Sequence, residues 1–69
     1  PDAVELVPEF ERALDAHPTA SRVWRRLTPG ARRGFAHPVA SATEPAARRG
    51  RVEESIDSLW QMAGAEAPG

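Results

Sequence analysis

Prolines stand at positions 8, 18, 29, 38 and 45, and their spacing constrains this chain more than any other feature. Proline lacks a backbone N–H and its ring clashes with the preceding turn, so it opens a helix or ends one. The gaps between these prolines therefore admit only short helices. After Pro45 the chain runs free of proline to Pro68, which leaves room for one longer helix. No segment alternates with the period of two that a half-buried strand requires, so nothing here supports a sheet.

Each proline-bounded segment carries apolar residues at helical spacing. Pro8 starts the first, with Glu9 and Glu11 at the positive end of the helix dipole and Phe10, Ala13 and Leu14 forming a stripe. His17 precedes Pro18, which disfavours helical geometry and ends the first helix at Ala16. In the second segment Ala20, Val23, Trp24 and Leu27 recur at i, i+3, i+4 and i+7, with Arg22, Arg25 and Arg26 around the remaining circumference. Thr28-Pro29 predicts a capping hydroxyl followed by the first helical position. Ala31, Phe35, Val39 and Ala42 follow on one face, and Pro38 predicts a kink or an early end near His37. The fourth helix opens at Pro45 with Thr43 or Glu44 as its cap. Val52, Ile56, Leu59 and Ala63 line its stripe, with Trp60 on the flank. Gly50 costs about 1 kcal/mol inside such a helix relative to Ala. Gly64 predicts its C-terminal cap.

These patterns predict an all-α fold, a small bundle of about four short helices. Its core is expected at Phe10, Leu14, Val23, Trp24, Leu27, Phe35, Val39, Val52, Ile56, Leu59 and Trp60. The helical domain is expected over residues 8–64, after an extended arm or linker at 1–7 and before a frayed tail at 65–69. The apolar run Val4-Glu5-Leu6-Val7 reads either as the end of an upstream β-element or as an arm on the helices. The chain opens on Pro1 and not on Met, so a processed chain or one piece of a longer protein is the expectation.

A chain of 69 residues makes one domain with a thin core. It has no Cys, so it has neither disulfides nor thiolate metal sites. No apolar run approaches the roughly 20 residues of a membrane span, and no signal peptide is visible. A cytoplasmic protein is expected. His17 and His37 lack a third ligand in any metal-binding spacing, and no Gly-rich phosphate loop occurs, so neither metal nor cofactor is expected. Ser and Thr residues sit at caps or on helix surfaces, without the base and acid that a nucleophile needs. The pattern points away from an enzyme. Glu53, Glu54 and Asp57 read as a solvated helix face.

Charge is close to balanced overall at −1 but unevenly spread. Asp2, Glu5, Glu9, Glu11 and Asp15 against Arg12 leave residues 1–19 at −4. Eight arginines against Glu44 bring residues 20–51 to +7, and the remainder returns to −4. Arg32 and Arg33 lie in the first turns of the third helix, and Arg48 and Arg51 in the first turns of the fourth, where side chain and dipole are both positive. If the two helix starts open to one side, these four make a cationic concavity for an acidic protein or peptide segment. A nucleic-acid-binding accessory is the alternative use of the same arginines. It is disfavoured by the acidic flanks and by the lack of interleaved aromatics.

The stretch LTPGARRGFAHPVASATEPAARRGRVEESIDSL, from Leu27, resembles the C-terminal helical domain of the bacteriocin-protection (YdeI/OmpD-associated) family. The family's order of residues is matched without a gap at Leu27, Thr28, Pro29, Arg32, Arg33, Phe35, Val39, Ala42, Pro45, Arg48, Arg51 and Val52. Upstream, Pro8, Phe10, Ala13, Leu14 and Pro18 resemble its opening helix and break, so the likeness spans roughly residues 7–60. Pro38 stands where the family usually has Trp, Thr43 where it has Lys, Ala47 where it has Thr and Gly50 where it has Arg. The resemblance implies a non-enzymatic helical interaction module linked to tolerance of peptide antibiotics. It also implies that a small β-domain precedes this module in many members, which leaves open a third reading, a structural fragment of a larger protein.

Overall fold

The computed structural model describes residues 6–66, and the side chains of residues 6–64. Four helices follow one another: α1 (Pro8–Ala16), α2 (Pro18–Arg26), α3 (Pro29–Ser41) and α4 (Pro45–Glu66). Among the described residues there is no strand. Each helix begins on one of the prolines that the sequence marked. A fixed φ and a missing N–H cost nothing at a position whose N–H has no intrahelical partner anyway.

The helix ends show how the short segments are held. Phe10 and Glu11 donate their N–H groups to the Val7 carbonyl, at 3.0 and 3.1 Å, and start α1. His17 alone separates α1 from α2. Its N–H reaches Leu14 O at 3.1 Å while its own carbonyl accepts from Ser21 at 2.9 Å. Thr28 caps α3 as its spacing predicts, its Oγ1 accepting the Ala31 N–H at 3.2 Å. At α4, Glu44 O takes the Arg48 N–H at 2.8 Å.

The long helix α4 is the spine. α1, α2 and α3 each pack on it, and α1 also packs on α2. The core is built from Phe10, Leu14, Ala20, Val23, Trp24, Ala36, Val39, Val52, Ile56 and Leu59. Phe10, Val39 and Leu59 have no measurable exposure. Phe10 and Trp24 meet with ring centroids 5.2 Å apart at 56°, a tilted geometry that complements the ring quadrupoles. Leu6 and Val7 lean on this core. They are the described part of the arm read over 1–7; residues 1–5 and 67–69 lie outside the described residues.

Several expectations are corrected or narrowed. Pro38 neither ends α3 nor stops it at His37: the helix runs to Ser41, and the Ala42 N–H closes it on Pro38 O and Val39 O, both at 3.3 Å. The packing of Ala36 and Val39 holds the helix across the one hydrogen bond that Pro38 cannot make. Gly64 is not a cap. It lies inside α4, which continues to Glu66, and no described glycine has a positive φ. Trp60 is not in the core but 62 % exposed. Each helical residue turns about 100°, so Trp60 lies roughly 80° from Val52 around α4, on the side where Ala13 and His17 border the same hollow. In α3 the buried face is turned by one residue, with Ala36 inside and Ala31 exposed. Leu27 and Phe35 are half-buried at the core's margin.

Candidate functional site

The four arginines expected to form one concavity divide into two engaged within the fold, Arg32 and Arg48, and two exposed, Arg33 and Arg51. The seam between α3 and α4 holds two hollows, one lined by His37, Pro38, Ser41 and Arg51 and the other by Gly34, Pro38, Arg51 and Ser58.

Two of the four are used within the fold. Arg32 Nε donates to Trp24 O at 3.1 Å and Nη2 to Arg25 O at 2.7 Å, both carbonyls in the last turn of α2. Arg48 Nε donates to Ala42 O, just past the end of α3, at 3.0 Å, and its Nη1 reaches Glu9 Oε2 on α1 at 3.5 Å. The last carbonyls of a helix have no intrahelical donor and carry the negative end of its dipole, so a guanidinium suits them. Each arginine staples the start of one helix to the end of the helix before it. Glu9 is held below its ordinary pKa of 4.5, chiefly by its own backbone N–H, with partial desolvation opposing and the charges of Arg48 and Arg12 assisting. Arg33 and Arg51 are exposed, and Arg51 lies in the α3–α4 seam near His37 and Ser41. His37 and Ser41 approach one another at 3.5 Å.

A different surface stands out. Between α1 and α4 lies a hollow of about 400 Å³. Its floor is the buried Val52 and Ile56 with the half-buried Ala13. Trp60 forms one wall, His17 closes the end, and Glu53 and Asp57 stand on the rim. A second hollow of about 420 Å³ shares Ala13, Val52 and Glu53 with it, and continues the groove toward Glu9, Arg12, Pro45 and Arg49. Asp57 is oriented by Gln61 Nε2, which donates to its Oδ2 at 2.8 Å. Sequence reasoning singled out Trp60 as core and the carboxylates as a solvated face. It missed that α1 ends too soon to cover Trp60. The signal was the position of Trp60 at the edge of the α4 stripe.

This arrangement sets an exposed indole beside an apolar floor with two carboxylates at its edge. An exposed indole beside an apolar floor offers the anchor contact on which binding energy concentrates, and rim charges select what approaches. Among the described residues no group of three or more His, Asp or Glu side chains could hold a metal ion. No described helix is long and apolar enough to cross a membrane.

In comparison with known families, the one described as "Bacteriocin-protection, YdeI or OmpD-Associated" matches residues 3–61, most of the chain. Neither a curated protein nor a solved structure matches it.

Proposed function

The chain belongs to the bacteriocin-protection, YdeI or OmpD-associated family, and from that premise we propose that it is a non-enzymatic interaction module serving bacterial tolerance to peptide antibiotics. The observation that carries this reading is the Trp60 groove. A large aromatic left 62 % in solvent, at the wall of an apolar hollow on two packed helices, suits capture of a polypeptide segment. An acidic partner at Arg32, Arg33, Arg48 and Arg51 is less well supported, because Arg32 and Arg48 are engaged by backbone carbonyls. The module acts in the cytoplasm on this reading.

A bacterium lacking the gene and challenged with a peptide antibiotic provides the test. The parent chain restores survival, and Trp60→Ala does not, at equal protein levels. Full restoration by Trp60→Ala would remove the groove from the function. No restoration by the parent would remove the role in tolerance.

A further inference from the structure

The Trp60 end of the groove carries two carboxylates at its edge, and they select a partner. Glu53 and Asp57 are four residues apart on α4, hence on one face and about 6 Å apart along the axis. The bond from Gln61 occupies one oxygen of Asp57 and orients the carboxylate. Trp60 stands next to them with its ring exposed, and an indole face attracts a cation as well as an alkyl chain. The other end of the groove is mixed in sign, lined by Arg12 and Arg49 together with Glu9 and Glu53. Arg49 precedes Asp57 by eight residues, about 12 Å along the helix. This exceeds the Debye length of about 8–10 Å at moderate salt, whereas Glu53 lies only about 6 Å from Arg49 along the helix, so the negative charge of the groove is concentrated at Asp57 beside Trp60.

We infer that the Trp60 end of this groove receives a basic amphipathic helix of a partner protein. An apolar side chain of that helix seats against Trp60 over Ala13 and Ile56. Two Lys or Arg side chains, one turn apart, face Glu53 and Asp57. A helix matches the rim because cations at i and i+4 repeat with the same spacing as the two carboxylates. This rests on the reading of the groove as the recognition surface and adds the chemistry of what occupies it.

The test titrates the full ¹⁵N-labelled chain with a synthetic amphipathic helical peptide that carries leucines on its apolar face and a Lys pair spaced i, i+4. A matched peptide has Glu in place of both Lys. The indole N–H signals of Trp60 and Trp24 report separately on the groove and the core. The expected result is a shift of the Trp60 indole with the Lys peptide, at an affinity roughly five- to tenfold above that of the Glu peptide, the size two exposed ion pairs supply. The double variant Glu53→Gln, Asp57→Asn removes this preference without disturbing the fold, since both side chains are exposed. Equal shifts with both peptides would overturn the basic partner and leave the groove as a binding surface. No shift of Trp60 with either would overturn the groove reading as well. A dimer that dissociates in Trp60→Ala, seen by sedimentation without any peptide, would assign the groove to a second copy and overturn the inference.

Discussion

Replacing Arg48 by Met separates a structural arginine from a ligand-binding one. Met keeps most of the aliphatic stem and removes the guanidinium. The lost contacts are a charged donor to Ala42 O at 3.0 Å and the looser 3.5 Å pair with Glu9. A hydrogen bond from a charged group contributes about 1.5–3 kcal/mol, and the side chain is 28 % exposed, so solvent replaces part of it. The Glu9 contact is mostly solvent-screened and adds little. A loss of about 1–2 kcal/mol is expected, against a total of about 3–10 kcal/mol for a domain of this length. With a urea dependence near 1 kcal/mol per molar, the unfolding midpoint falls by about 1–2 M. Arg51→Met, which removes an exposed arginine from the same helix, changes stability by less than about 0.5 kcal/mol. Urea titrations followed by far-UV dichroism measure both. If the Arg48 and Arg51 variants unfold at the same midpoint as the parent, the staple is not a stabilising contact and the reasoning fails.

The two tryptophans should behave oppositely: Trp24→Ala costs about 3–5 kcal/mol and leaves little folded protein, whereas Trp60→Ala melts close to the parent. Equal melting temperatures by dichroism would contradict the burial pattern. Gly64→Ala should stabilise by up to about 1 kcal/mol, because its backbone is helical and nothing lies within 4 Å of an added Cβ; a cap would give the opposite sign in the same melt. The carboxyl of Glu9 is lowered below 4.5, so its contribution is fully present above that pH and is lost as pH falls through the lowered folded value. Glu9→Gln should therefore lose stability relative to the parent near neutrality and converge with it in acid; parallel urea midpoints across that range would refute the coupling.

The helix count and every helix start were legible in the sequence, because proline geometry and Thr28 capping act within a turn of chain. Most of the core was legible too, from the spacing of Phe10, Leu14, Val23, Trp24, Val52, Ile56 and Leu59. The exceptions share a cause. Pro38 is an interruption by local rules, yet burial of Ala36 and Val39 outweighs one missing hydrogen bond. Gly64 stands where a cap is plausible, but α4 simply continues.

The site was harder to read, for the same reason at longer range. Arg32 and Arg48 look like anion ligands when only their distance from a helix start is known, since a dipole attracts the same anions whatever the side chain does. Their hydrogen bonds to Trp24, Arg25 and Ala42 depend on where α2 and α3 end in space. Trp60 looks like core when only its α4 neighbours are known. Its exposure depends on α1 ending at Ala16, opposite the point where a further turn would have covered it. By itself the sequence determined four helices, their starts and the apolar faces they bury, because backbone sterics and helical periodicity are local. Tertiary structure alone decided which arginines face carbonyls and which face water, and left an aromatic wall beside two carboxylates, because those outcomes follow from helix lengths and packing between segments far apart in the chain.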